Sequence, residues 1–290
     1  MKTVTLNLIL SGIILLVLIG YLTSFERKAR CNRIPKIIWT YWDDPDKIPE
    51  VVKHCRKSWA KSNPNYKIIL LDKNNFKNYV SIPQNLLEHV NFHDNNTRLS
   101  DLIRAWALAE HGGVWIDGSV ALNAPLDHWL FSKDAEFSGF YIERLTFNMN
   151  YPIIENWFFA CQKGSPFMKK WRDEFSKLSE FADVDKYLES RKEMGVDVQN
   201  IGDPTYLAMN VAAQKILQID KYPINNLILR RAEDGPFKYL ADSEWDAEKG
   251  LDLACRDHSY KIPILKMRSD ERKILDKRKD LTPEKCRWSH

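Results

Sequence analysis

One stretch constrains the fold more than any other: Arg98-Leu99-Ser100-Asp101-Leu102-Ile103-Arg104, followed by Gly112-Gly113-Val114-Trp115-Ile116-Asp117-Gly118-Ser119. Leu102, Ile103, Trp106 and Ala107 give a helix its buried surface, and Gly112-Gly113 ends it with a C-cap signal. Thr97 or Ser100 is the expected N-cap. Val114-Trp115-Ile116 then reads as a short buried strand with Asp117 at its tip. Arg98 and Asp101, and again Asp101 and Arg104, are spaced i,i+3, so their polar heads share one helix face. Such a row is often only a surface ion-pair ladder of little consequence. Joined to an acid-tipped strand, it suits a ligand with hydroxyls and phosphates. Carboxylates accept from vicinal hydroxyls, and guanidiniums meet oxyanions with a planar fork.

The segments upstream supply the rest of a sheet. Residues 34–40 read as a first buried strand, 49–61 as a helix stopped by Asn63-Pro64-Asn65, and 66–72 as a second strand ending in Asp72. Strand, helix, strand, helix, strand in this order predicts an α/β fold. Its sheet should be Rossmann-type and mostly parallel, flanked by helices, with right-handed crossovers and a crevice at the C-terminal strand ends. Trp39–Trp42, Asp72 and Asp117 fall at that edge. Further strands are expected at 136–142, 157–160 and 262–266, with helices at 165–180, 183–193 and 203–218. No repeat or linker divides 34–290, which reads as one domain.

Ahead of it, residues 4–22 are uncharged and mostly apolar, VTLNLILSGIILLVLIGYL. As a helix they would reach about 28 Å, close to a bilayer's hydrocarbon core. They are too long for a signal-peptide core and lack a small-residue cleavage site, so a transmembrane anchor is the expectation. A basic juxtamembrane stem follows at 23–33. The chain's net charge of +4 gathers at residues 26–36, where Arg27, Lys28, Arg30, Arg33 and Lys36 stand against the single acid Glu26. The body is close to neutral, which argues against a nucleic-acid partner. The positive-inside rule favours a single-pass protein with a cytoplasmic body. A short cytoplasmic tail of Golgi type II character would instead put the body in the lumen.

Several chemistries lack their motifs. There is no G-x-x-x-x-G-K-[ST] loop and no G-x-G-x-x-G, and neither Ser100 nor Ser119 stands beside a His. Cys31, Cys55, Cys161, Cys255 and Cys286 show neither CxxC nor zinc spacing, and their odd number and scatter favour free thiols over a disulfide framework.

The pattern R-x-S-D-x-x-R followed by G-G-x-x-x-D resembles the glycosyltransferases with an Asp-x-Asp sugar-binding motif, glycosyltransferase family 32 among them. Within these, the chain is most similar to the capsular polysaccharide synthesis branch. The likeness is carried by Ile34-Pro35-Lys36-Ile37-Ile38-Trp39, Trp59-x4-Pro64-x-Tyr66, Glu155-Asn156-Trp157-Phe158, Gly235-Pro236-Phe237 and Ile264-Leu265-Lys266. The resemblance implies a GT-A fold, a nucleotide-sugar donor, a glycan acceptor (polysaccharide, glycoprotein or glycolipid) and hexosyl transfer with retention. It also implies that Trp39 stacks on the nucleobase, that Asp101 and Arg104 hold ribose and sugar hydroxyls, and that Asp117 contacts the sugar and a divalent Mn2+ or Mg2+. Catalytic roles would thus fall to Asp117, Arg104 and Asp101.

Ser119 departs from the family pattern, which commonly has a second acid there. A hydroxyl is the weaker ligand for a hard cation. Either Asp117 and Ser119 hold the metal with help from diphosphate oxygens, or Arg98 or Lys266 neutralises the leaving group in its stead. An inactive sugar- or nucleotide-binding relative is the alternative that Ser119 motivates. Asn156 and Trp157 are candidates for contact with substrate, with a core role open for Trp157. Asp203 is either an acceptor-site acid or a helix N-cap. Lys266 ends a strand and either reaches the diphosphate or lies at the surface.

Overall fold

The computed structural model describes residues 34–129, 135–256, 262–278, 280–281 and 286. Its centre is a six-stranded sheet in the order β2-β1-β3-β6-β5-β7. The strands are β1 (Ile37–Tyr41), β2 (Lys67–Leu71), β3 (Gly113–Ile116), β5 (Phe137–Tyr141), β6 (Ile154–Cys161) and β7 (Leu227–Arg231). A separate antiparallel pair joins β4 (Val120–Leu122) to β8 (Ile264–Lys266).

The strand–helix–strand reading of the first half matches what is seen. Strand β1 runs parallel to β2 and β3, with α1 (Glu50–Ser62) and α2 (Asn96–His111) as the crossovers. The second half departs from a simple Rossmann pattern, because β6 is antiparallel to both β3 and β5, while β5 and β7 are parallel. The sheet is therefore mixed, mostly parallel by pairs. The reversal matters for the site. It brings the beginning of β6, with Glu155 and Asn156, to the same sheet edge as the end of β3.

The fold class expected from sequence included a transmembrane helix, and that part is corrected. No helix among the described residues is long and apolar enough to cross a membrane. The expected anchor at 4–22 and the stem at 23–33 lie outside the described residues.

Two glycines explain the α2–β3 junction. Gly112 has φ +66° and caps α2, and a Cβ there would lie 2.5 Å from the Lys163 nitrogen. Gly113 has φ +102°, and its Cβ would meet the Ile37 carbonyl at 2.7 Å. Only residues without a Cβ combine those angles with such close approach. At the other end of α2 the cap is Asn95, whose side chain accepts from Arg98 N at 2.9 Å, rather than Thr97 or Ser100. Asn95 keeps an extended backbone, which an N-cap needs.

Helices α1 and α2 bind the sheet through specific contacts as well as apolar ones. Trp59 of α1 donates from Nε1 to the Val120 carbonyl at 2.7 Å, and Ser58 Oγ accepts from Leu122 N at 2.9 Å. Helix α2 lies against β1, β3 and α3 (Pro166–Ser176). Beyond α4 (Val184–Glu193), α5 (Ala208–Gln218) covers β6 and accepts Trp171 Nε1 at the Met209 carbonyl, 2.7 Å away. Strand β6 is buried on both faces from Trp157 to Cys161, as a central strand should be.

Near the C-terminus, α6 (Ala247–Arg256) packs against α7 (Ser269–Lys277). Cys255 on α6 forms a disulfide with Cys286, so the expectation of free thiols fails for this pair. Cys55 and Cys161 are free and buried, and Cys31 lies outside the described residues.

Candidate active site

Beyond the C-terminal ends of β1 and β3 lies a crevice of about 800 Å³, a volume usual for ligand sites. The structure brings Asp101, Arg104, Asp117, Ser119, Asn156, Trp157 and Lys266 together around it.

Arg104 is the hinge of the arrangement. Its Nη1 lies 2.7 Å from Asp101 Oδ1 and its Nη2 donates to Asp117 Oδ1 at 2.9 Å. The guanidinium also lies 5.0 Å from the centre of the Trp115 ring. Two residues on along β3, Asp117 falls on the same face as Trp115. Trp115 Nε1 donates to Asp117 Oδ1 at 3.0 Å. The Asp117 backbone is fixed too, its N–H donating to the Trp157 carbonyl of β6 at 2.9 Å. A rigid acid at a strand tip, oriented by an arginine and an indole, is what a site that must hold a ligand in one pose requires.

On the opposite wall, β8 pairs antiparallel with β4 so that Lys266 lies across from Val120. Lys266 Nζ therefore reaches Asp117 Oδ2 at 2.9 Å and Ser119 Oγ at 3.2 Å. Arg268, Ser269 and Arg272 continue that wall into the first turn of α7. Trp157 stacks on Phe140 and packs against Phe237, while one edge lines the crevice. Asn156 Nδ2 donates to Asp101 Oδ1 at 3.2 Å. Sequence fragments that look weak singly thus converge here: Glu155 to Trp157, Pro236-Phe237 and Lys266.

The charges are perturbed for identifiable reasons. Burial raises Asp117, but Lys266 and Arg104 outweigh it and hold the carboxyl below the usual range. Burial pushes Asp101 up to about 6, against the pull of Arg104. Glu155, on the crevice wall, is pushed up to about 7 by burial, with Lys266 acting the other way. A strongly shifted carboxyl in a crevice is a functional candidate. In the sequence Glu155 stands out only as part of the family resemblance, and no local spacing marks it.

Three expected residues lie elsewhere. Trp39 is 2% exposed, donates from Nε1 to the Gly112 carbonyl and stacks on His111. It belongs to the core and offers no face to a nucleobase. Three residues on, Trp42 lines the crevice beside Asp43, Asp44 and Asn96. Arg98 turns away and donates from Nε to the Asn91 carbonyl at 2.6 Å. Asp203 accepts from Tyr206 N at 3.1 Å, a local turn-capping role, and does not line the crevice.

The residues present do not suit the expected divalent ion. Among the described residues no group of three His, Cys, Asp or Glu side chains could hold one. Both Asp117 oxygens already accept hydrogen bonds, and the Lys266 ammonium bonds to both Asp117 and Ser119.

Sheet and crevice together define a mixed α/β protein whose crevice is lined by buried carboxylates on one side and basic side chains on the other. A family model described as capsular polysaccharide synthesis protein matches residues 19–184, more than half of the chain. The chain belongs to that family. An O-glycosyltransferase of Annulohypoxylon truncatum, braB, is 27% identical over 167 residues, 49% of this chain and 37% of that protein. The match thus spans little more than a third of the relative. Among solved structures, a glycosyltransferase involved in glycosylation of the major capsid of PBCV-1 aligns at TM-score 0.42 and 12% identity, over 83% of this chain and 96% of that one. The galactosyltransferase LgtC with donor and acceptor sugar analogues aligns at 0.42 and 11%, over 79% and 86%. Likenesses at this level leave the chemistry to be argued from the site.

Proposed function

We propose that this protein is a glycosyltransferase that moves a hexosyl group from a nucleoside-diphosphate sugar to a hydroxyl of a glycan acceptor. The observation that carries the proposal is the crevice's division of labour. Asp101, Arg104 and Asp117 form a rigid polar floor, and Lys266, Arg268 and Arg272 form a cationic wall across from it.

In this reading Trp42 meets the nucleobase near the Asp43 and Asp44 mouth, and Asp101 and Asp117 hold hydroxyls of the donor. As the bond from the anomeric carbon to the diphosphate oxygen breaks, its electron pair leaves with the diphosphate and the sugar gains oxocarbenium character. The cationic wall faces the first charge, and the Asp117 carboxylate faces the second. Preorganised charges of this kind are the main lever available to such a reaction. The acceptor oxygen bonds to the anomeric carbon with the retention that the family resemblance implies. Glu155, with its pKa near neutrality, is the carboxyl suited to receive the acceptor's proton.

The test is a thermal-shift panel of UDP-, GDP- and CDP-sugars, since a true donor stabilises the folded state by mass action. One nucleotide series should raise Tm in the intact protein and leave Asp117→Ala unmoved. A flat response across the panel would count against the proposal.

A further inference from the structure

We propose that the Lys266 ammonium does in this site the work of a divalent metal ion, so that donor binding and leaving-group neutralisation need no metal. This rests on the glycosyltransferase reading and deepens it.

The case starts from backbone geometry. Lys266 is not a long side chain free to swing. Its N–H donates to the Pro236 carbonyl at 3.1 Å, its carbonyl accepts from Tyr239 Oη at 2.8 Å, and the next residue's N–H donates to the Ser119 carbonyl at 3.0 Å. Its side chain is 9% exposed. It passes beside the Trp157 ring, with Nζ 5.5 Å from the centroid. The ammonium is therefore delivered to one place, between Asp117 Oδ2 and Ser119 Oγ.

Those two oxygens are the pair that would have to grip a divalent ion. Ions of the Mg2+ type want oxygen ligands at about 2.0–2.1 Å in octahedral array. An ion bound to both oxygens would have to sit in contact with Nζ, and a monovalent and a divalent cation cannot share that space. Ser119, where an acid commonly stands in related sequences, fits the same account. A second carboxylate would bring a negative charge that the lysine alone does not balance, whereas a hydroxyl accepts from the ammonium and adds no charge.

The electron balance is the same as in the metal-assisted case. The anomeric C–O bond breaks with its electron pair going to the diphosphate. The new C–O bond takes an electron pair from the acceptor oxygen, whose proton passes to the carboxyl or to the leaving phosphate. Lys266 forms no covalent bond in the step and contributes only its charge. Arg272, on the same wall, supplies further positive charge, while the charge of Arg268 is paired with the buried Glu271.

The experiment is calorimetric titration of UDP, GDP and CDP into the full chain, in EDTA and again in MnCl2 or MgCl2, with turnover of the matching nucleotide sugar measured in parallel. The inference expects one nucleoside diphosphate to bind equally well in EDTA and in metal. It expects Lys266→Met to lose roughly tenfold or more in affinity, the loss of a charged hydrogen bond, and Lys266→Arg to recover part of it. The pair Ser119→Asp with Lys266→Met should bind only when Mn2+ is present. Binding by the wild type only with metal, or full affinity in Lys266→Met, overturns the inference and leaves the glycosyltransferase reading standing. No nucleotide binding in either buffer brings down both. The comparison of buffers on the wild type decides the matter even if a variant fails to fold.

Discussion

Asp117 and Lys266 are 149 positions apart in the chain and meet at 2.9 Å across the crevice. The contact depends on two ladders: β3 against β6, which fixes the Asp117 backbone, and β4 against β8, which fixes Lys266. Between them the carboxylate is held from both sides, by Arg104 on one oxygen and Lys266 on the other.

Arg104 should be the costliest charge to remove. Its side chain is 5% exposed and serves Asp101, itself 4% exposed, as well as Asp117. Breaking a buried pair from one side leaves an uncompensated charge, worth about 3–5 kcal/mol. Urea unfolding of Arg104→Met should show a loss of that order. Arg104→Lys should regain only part, because a single ammonium cannot fork to two carboxylates. A loss below about 1 kcal/mol, the value of a surface pair, would mean the network is not built as described.

Two tryptophans three residues apart should separate folding from binding. Trp39→Ala empties part of the core and should lower stability by about 3–5 kcal/mol. Trp42→Ala, at a half-buried ring packed on the edge of the core, should cost clearly less stability than Trp39→Ala and weaken nucleotide binding roughly tenfold, in line with about 1–3 kcal/mol for base stacking. The reverse pattern would restore Trp39 to the site.

How much of this could be read from the chain follows the same division. The floor of the site is contiguous: i,i+3 spacing and a Gly-Gly junction set Asp101, Arg104 and Asp117 within 17 residues, and helix and strand periodicity place them. Trp39 differs from its expected place because a strand's alternation does not reveal that both faces are covered. In the fold, the Trp39↔Trp115 register puts it under the end of α2. Arg98 lies away from the crevice because it stands in the first turn of a helix that begins at Asn96, where its guanidinium meets the Asn91 carbonyl. The Lys266 wall and Glu155 depend on pairings between distant segments and on the reversed β6, which no local pattern encodes. The short β4 and the arginine-bearing β7 are not legible in the sequence for a similar reason, since their pairing partners rather than their composition define them.

Acidity should stabilise the fold between about pH 8 and pH 5. Glu155 rises from 4.5 to about 7 and Asp101 from 3.8 to about 6 on folding. A carboxyl raised in the folded state binds its proton more tightly there. Its contribution is full below the unfolded pKa and is lost as pH climbs through the folded one. Tm should therefore fall as pH increases across this window, and Glu155→Gln should flatten the upper part of the fall. A Tm that is level or rising from pH 5 to 8 would contradict the burial of these groups.

Reduction should loosen the C-terminal region. The Cys255–Cys286 link closes a loop with a sequence separation of 31, for which chain entropy suggests about 3–4 kcal/mol. Cys255→Ser, or dithiothreitol added to the wild type, should lower Tm accordingly. An unchanged Tm on reduction would show that α6 and the end of the chain are held by other contacts, such as Arg278 with Asp252 and Asp280.

The most direct test of the whole account is release of nucleoside diphosphate from a nucleotide-sugar panel, compared between the wild type and Asp117→Asn. Turnover of one donor by the wild type, with a loss of at least about a hundredfold in the variant, as for removal of a preorganised charge, is the expected result. Equal turnover by both proteins, or none by either with every donor, would contradict a sugar-transfer site built on Asp117.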